Sequence, residues 1–221
     1  MWEVIMADST YVVGHSKFVP YKAVGQKTWL SGDGFKFESK IEIPKVADKG
    51  LSEKYPIKAI LFDFDGVIST GDVWTDQNGI ESVRCSRRDS LGLAMLRDKF
   101  PDLILGVITS EQNPVVKVRC AKLKIPVYIT DHTAKSKFDI LQKQIEQIVG
   151  APVIYIGDDL NDLECMARMD VISVCPKDAH PKVKQEADVI LKHKGGKGAI
   201  RELCELFMEG YFDKYCYKFK N

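Results

Sequence analysis

The stretch Ala59-Ile60-Leu61-Phe62-Asp63-Phe64-Asp65-Gly66 runs an unbroken apolar segment straight into two carboxylates one residue apart. A central strand of a parallel sheet is buried on both faces, so it reads as continuous hydrophobics, and its C-terminal end opens onto the ligand crevice. Asp63 and Asp65 stand at that opening. Carboxylates held this close repel each other, and a divalent cation such as Mg2+ is the usual compensation. One can then serve as a metal-bound nucleophile and the other as a general acid or base. Taken alone, the pair also fits a strand that stops at a solvated acidic turn.

Downstream the chain alternates short apolar runs with segments of helical period. Strands are expected over 59–64, 103–108, 126–130, 153–157, 171–175 and 189–192, and helices over 89–100, 114–124, 135–149, 160–168, 180–185 and 198–214. That order predicts an α/β fold with a doubly wound, Rossmann-like parallel sheet. Asn113-Pro114 and His180-Pro181 read as N-cap followed by N1 proline. Ile140, Leu141, Ile145 and Ile148 form one apolar stripe. Between Val67 and Arg88, Asn78-Gly79 lies among Val73, Trp74, Ile80 and Val83, which is hairpin chemistry. Such a flap would lie over the site or against a neighbouring subunit.

Residues 58–221 are therefore expected to form the main domain, with 1–57 a small β-rich appendage and linker. In the appendage, Phe35, Phe37, Ile41 and Ile43 alternate with charged residues, and Ser31-Gly32-Asp33-Gly34 reads as a turn after a partner strand at 27–30. Trp2, Tyr11 and Trp29 are candidates for its core or for an oligomer interface.

Bulk composition narrows the partners. Lys and Arg total 32 against 31 Asp and Glu, a formal charge of +1, so no global field attracts nucleic acid or an anionic membrane. No run of about 18 apolar residues is present to span a bilayer. Glu3 and Asp8 with no basic n-region make the N-terminal stretch a poor signal peptide. The 6 cysteines are scattered without a C-x-x-C pair, as expected of reduced thiols in a cytoplasmic protein.

Four further positions extend the aspartate pair. Thr109 follows Leu103-Ile104-Leu105-Gly106-Val107-Ile108, where its hydroxyl can meet a phosphate oxygen. Lys135 opens the helix after Pro126-Val127-Tyr128-Ile129-Thr130 and offers a cation to the same phosphate and to Asp63. Asp158 and Asp159 follow Val153-Ile154-Tyr155-Ile156-Gly157, and Asp162 begins the next helix. Singly, Thr109 fits a turn cap, Lys135 a solvated lysine and the three aspartates an N-cap cluster. Together, each at a strand end, they suit a hard cation completed by substrate phosphate.

In this order the motifs, Asp63-Phe64-Asp65-Gly66-Val67, Thr109, Lys135 and Gly157 to Asp162, resemble those of the haloacid dehalogenase superfamily. The resemblance implies that Asp63 forms an aspartyl phosphate while Asp65 protonates the leaving oxygen and later activates water. It implies Mg2+ held by Asp63, the Asp65 backbone carbonyl and Asp158, with Thr109 and Lys135 on the phosphoryl group and Asp159 or Asp162 in support. Residues 57–208 look most like the capless branch that hydrolyses 3-deoxy-octulosonate 8-phosphate or nonulosonate 9-phosphates. Arg88-Asp89 with Gly92, Arg119 to Leu123, Asp178 to Pro181 and Gly195 to Glu202 carry this narrower likeness.

The branch implies a homotetramer in which a neighbour's hairpin and C-terminal tail close the site, and it implies that Arg88 and Lys197 bind substrate. Two departures are visible: Ser110-Glu111-Gln112 replaces a Gly-Arg that often follows the threonine, and Lys197 stands where arginine is common. The expectation is an Mg2+-dependent phosphatase of an acidic 2-keto-3-deoxy sugar phosphate of sialic acid or octulosonate biosynthesis. The alternatives are another small phosphomonoester as substrate, or a catalytically idle oligomerisation module of a nucleotide-sugar pathway.

Overall fold

The computed structural model describes residues 57–131, 134–146 and 151–216, together with the backbone of four short strands nearer the N-terminus. The chain divides into two compact units, Met1–Lys45 and Val46–Asn221. In the first, β1 (Val4–Ala7) pairs antiparallel with β2 (Thr10–Val13), and β3 (Trp29–Ser31) with β4 (Gly34–Lys36). The β3–β4 hairpin falls on the expected turn. The expected continuation of the second strand over 37–43, and the side chains of Trp2, Tyr11 and Trp29, lie outside the described residues.

The second unit is built on a six-stranded parallel sheet. Its strands are β5 (Ala59–Phe62), β8 (Ile104–Thr109), β9 (Val127–Ile129), β10 (Val153–Ile156), β11 (Val171–Cys175) and β12 (Val189–Ile190), in the spatial order β12-β11-β10-β5-β8-β9. From β5 the chain moves outward through β8 and β9, then returns to β10 on the opposite side. The switch point thus lies between β5 and β10, the place where open α/β sheets bind ligands beyond their carboxyl ends. Every residue of β5 is buried, as its continuous apolar run demands.

Alternate residues of that strand feed two cores. Ile60 and Phe62 face the layer of α1 (Arg87–Lys99), α2 (Pro114–Leu123) and α6 (Ala199–Met208), where Leu93, Val116 and Leu203 meet them. Ala59 and Leu61 face α3 (Ala134–Glu146), α4 (Leu163–Met166) and α5 (Pro181–Glu186), where Leu141, Cys165 and Val183 pack. Truncating a side chain such as Phe62 to alanine would cost about 3–5 kcal/mol.

The expected proline-led caps form. The Asn113 side chain accepts from the Val115 N–H, and His180 Nδ1 from the Lys182 N–H. Two elements differ from expectation. The helix expected over 198–214 stops at Met208, because Gly210 takes φ 78°, and the chain resumes only as α7 (Asp213–Cys216). The segment 160–168 is a 3-10 turn, Leu160–Asp162, followed by the short α4.

The expected hairpin is present as β6 (Ser69–Thr75) and β7 (Glu81–Cys85). Asp76 closes its loop: Oδ1 accepts from the Asn78 and Ile80 N–H groups at 2.8 and 2.9 Å. Val73, Trp74 and Ile80 are exposed on this hairpin. Near its tip, Asn113 Nδ2 donates to Glu81 Oε2 at 2.8 Å and ties the first residue of β7 to the start of α2. All 6 cysteines are free thiols, and no helix among the described residues is long and apolar enough to cross a membrane.

Candidate active site

Asp63 is the first residue past β5, and its N–H still donates to Ile156 O of β10 at 2.9 Å. The chain then turns sharply: the N–H groups of Ile68 and Ser69 both donate to Phe64 O, at 2.8 and 2.9 Å. Gly66 makes the turn possible with φ 70°, and a Cβ there would sit 1.9 Å from Asp158 Oδ2. Gly195 packs as closely from behind, since its Cβ would lie 1.6 Å from Gly66 O. The aspartate loop is therefore clamped between the end of β10 and the Gly195-Gly196 turn that leads to α6.

The cation that meets Asp63 is Lys137. Its Nζ lies 3.0 Å from Asp63 Oδ1 and 2.9 Å from Asp162 Oδ1, and the lysine is buried. The expectation placed Lys135 there, and the Lys135 side chain lies outside the described residues. Helical phase accounts for Lys137: it lies one turn before Leu141 and two before Gln144, on the buried face of α3.

Asp162 is fully enclosed and saturated with donors. Oδ1 accepts from Lys137 Nζ and from the Tyr155 hydroxyl at 2.7 Å; Oδ2 accepts from the N–H groups of Asp158 and Asp159 at 3.0 and 3.2 Å. With its acceptor sites filled, Asp162 orients Lys137 and has no lone pair to spare for an ion. Asp159 is exposed and caps the 3-10 turn, with Oδ1 accepting from the Leu160 N–H at 2.7 Å.

Asp63, Asp158 and Asp162 present ligand oxygens within 4.8 Å of one another. Burial pushes the Asp63 carboxyl well above its ordinary range, and the charge of Asp162 adds to this while Lys137 opposes it. Burial, then the charges of Asp162 and Asp159, push Asp158 up to about 7. Lys137 is held charged, because attraction to Asp63 and Asp162 outweighs the cost of burial. Three carboxylates against one ammonium leave a two-charge excess, and the oxygens of Asp63 and Asp158 remain available. That donor set fits a hard divalent cation.

Asp63, Asp65, Thr109, Ser110, Glu111, Lys137 and Asn161 line a cleft of about 200 Å³. Thr109 ends β8 and is buried, with Oγ1 accepting from the Glu111 N–H at 3.1 Å, so its proton remains to be donated into the cleft. Glu111 Oε1 accepts from the Asn113 N–H at 2.6 Å. Asp65 is raised by burial; the Ser69 hydroxyl opposes this and the Glu111 charge adds to it. Arg88 and Lys197 are exposed and do not line the cleft. Ser69, Lys137, Asn161 and Tyr155 join the site without having been assigned to it from sequence, whereas Glu111 stands in the sequence as a negative charge expected beside the sugar pocket. Only Lys137 had a usable signal, its phase on α3.

A family model described as haloacid dehalogenase-like hydrolase matches residues 132–203. The 3-deoxy-D-manno-octulosonate 8-phosphate phosphatase KdsC of Escherichia coli strain K12 is 32% identical over 154 residues, covering 69% of this chain and 79% of the relative. The solved 3-deoxy-D-manno-octulosonate 8-phosphate phosphatase of Yersinia pestis matches with a TM-score of 0.62 at 29% identity, over 72% of this chain and 85% of that one. The Moraxella catarrhalis enzyme, solved with magnesium ion, phosphate ion and KDO, matches with a TM-score of 0.61 at 27% identity, over 76% and 95% of the two chains.

Proposed function

The chain belongs to the haloacid dehalogenase-like hydrolase family and is a phosphatase; from that premise we propose that it hydrolyses an acidic 2-keto-3-deoxy sugar phosphate with Mg2+ as cofactor. The substrate is 3-deoxy-D-manno-octulosonate 8-phosphate or a nonulosonate 9-phosphate. The observation that carries this reading is the buried contact of 3.0 Å between Lys137 and Asp63 at the sheet's switch point, with Asp65 two residues away. The phosphatases named above supply the substrate class.

In this reading an Asp63 carboxylate oxygen attacks phosphorus, and the bond to the sugar oxygen breaks with its electron pair staying on that oxygen. Asp65 gives it a proton, so the sugar leaves as a neutral alcohol. Water then attacks phosphorus of the aspartyl phosphate, Asp65 takes the water proton, and the bond to Asp63 breaks to free phosphate. Lys137 and the Thr109 hydroxyl donate to phosphoryl oxygens where negative charge builds. Asp63, Asp158 and the Asp65 carbonyl would hold Mg2+, which neutralises phosphoryl charge when bound. Asp159 and Asp162 support this shell, Asp162 by aiming Lys137.

Arg88 and Lys197, exposed beside the hairpin and the Gly195-Gly196 turn, are assigned to the sugar acid. The exposed Val73, Trp74 and Ile80 support assembly into a homotetramer, and six free thiols support a cytoplasmic setting. Residues 1–57 serve as a separate appendage to the 58–221 phosphatase domain. The test is phosphate release from octulosonate 8-phosphate, nonulosonate 9-phosphates and simple sugar phosphates, with Mg2+ or chelator. Strong metal-dependent turnover of one keto-acid phosphate, lost in Asp63→Asn, is expected. Absence of turnover across the panel by a folded protein overturns the reading.

A further inference from the structure

Ser69 is sealed from solvent at the root of the hairpin, four residues past Asp65. Its hydroxyl lies 2.9 Å from Asp65 Oδ1, and Ser69 Oγ itself accepts from the Gly71 N–H at 3.1 Å. The position itself is fixed from three sides. The Ser69 N–H donates to Phe64 O, its backbone pairs with Cys85 across β6 and β7, and a Cβ on Gly196 would come within 2.5 Å of its carbonyl carbon. Among the described contacts, Asp65 Oδ1 is the one acceptor within reach of the Ser69 hydroxyl hydrogen. A proton carried on Oδ1 would leave that buried hydrogen without an acceptor.

We propose that Ser69 is the positioning residue for Asp65: it holds Oδ1 as a permanent acceptor, so the proton delivered to the leaving oxygen is carried on Oδ2. This rests on the reading of Asp65 as the general acid. In the transfer, the phosphorus–oxygen bond breaks, its electron pair remains on the leaving oxygen, and the Oδ2 proton moves there. The resulting carboxylate keeps its bond from Ser69 and can take the water proton back on Oδ2 in the second half-reaction. Without Ser69 the carboxyl would rotate, and either oxygen would hold the proton.

A general acid matters most when the leaving group is a poor one, and it contributes on the order of 10²–10⁴-fold there. The experiment measures kcat and KM of the full chain with Mg2+ on phosphate esters running from alkyl alcohols to p-nitrophenol. Ser69→Ala should lose about 10–100-fold in kcat on alkyl phosphates and less than about 3-fold on p-nitrophenyl phosphate, with KM little changed. Combined with Asp65→Asn it should cost nothing further, because the two act as a unit. An equal loss along the series, or losses that multiply in the double variant, overturns the proposal. If Ser69→Ala does not fold, Ser69→Cys, which keeps the volume but donates weakly, must show the same dependence on leaving group. If Asp65→Asn itself shows no such dependence, the general-acid reading fails first and the role of Ser69 falls with it.

Discussion

Lys137 Nζ stands 2.9 Å from Asp162 Oδ1 with both side chains sealed from solvent, and the same ammonium reaches Asp63 at 3.0 Å. A buried ion pair stabilises little by itself, but removing one partner leaves the other charge uncompensated. Asp162 is therefore best understood as the group that keeps Lys137 charged and aimed.

Lys137→Met should destabilise the metal-free protein by about 3–5 kcal/mol and abolish turnover. Lys135→Met should leave both nearly unchanged, because it lies about 200° away around α3. Thermal unfolding with chelator and phosphate release with Mg2+ measure the two effects. The reverse pattern would return Lys135 to the site.

Asp158 gives a pH signature. Its carboxyl is raised to about 7 in the folded chain, from an ordinary value of 3.8. The folded state thus holds a proton that the unfolded state has already released. Stability from this source is fully present below the unfolded value and is lost as pH rises through about 7. Metal-free wild type should lose melting temperature across that window relative to Asp158→Asn. Mg2+ should restore it, most strongly at the alkaline end, since binding to the folded state stabilises by mass action. A metal-free difference that stays flat with pH would contradict the assignment.

Gly195→Ala probes the clamp on the aspartate loop. Its Cβ would fall 1.6 Å from Gly66 O, a backbone atom with no rotamer to move. Either the Gly195-Gly196 turn or the loop of Asp63 and Asp65 must shift. The expected result is a loss of about 1–3 kcal/mol from overpacking and a fall in kcat larger than the rise in KM. Native activity with unchanged unfolding would show that the two segments are not packed as found.

The sheet was legible because β5 and β10 are short, continuous apolar runs and β11 is broken only by Ser173, the reading expected of parallel strands buried on both faces. The acids were legible for the same reason, since β5 runs into Asp63 and β10, after Gly157, into Asp158. Helix phase was harder. Lys135 and Lys137 flank Ser136, and nothing local distinguishes them until Leu141 and Gln144 are known to face inward. Ser69 gives less warning still: a serine opening a hairpin strand is ordinary, and only the tight turn through Gly66 brings it back onto Asp65. The break at Gly210 in the expected last helix turns on one positive φ inside an amphipathic pattern that otherwise continues.

Glu202 holds the approach to that glycine turn from the side of α6. Its carboxylate accepts from the Lys192 N–H at 2.9 Å, from the His193 N–H at 2.9 Å, and contacts His193 Nδ1 at 2.8 Å. Burial works to raise its pKa, but these bonds outweigh it and the net shift is downward from 4.5. A carboxyl lowered in the folded state contributes stability above its unfolded value and loses it as pH falls through the folded one. Glu202→Gln should therefore destabilise by about 1–2 kcal/mol at neutral pH, with the gap to wild type closing as pH falls below the ordinary carboxylate value of 4.5. Because residues 192–193 lead directly into Gly195, the same variant should lower kcat modestly while leaving the Asp63 and Lys137 contact intact. Denaturant unfolding of both proteins at pH 7 and at pH 3.5 decides it: a gap that persists or widens in acid would mean that the anionic form of Glu202 does not hold this loop.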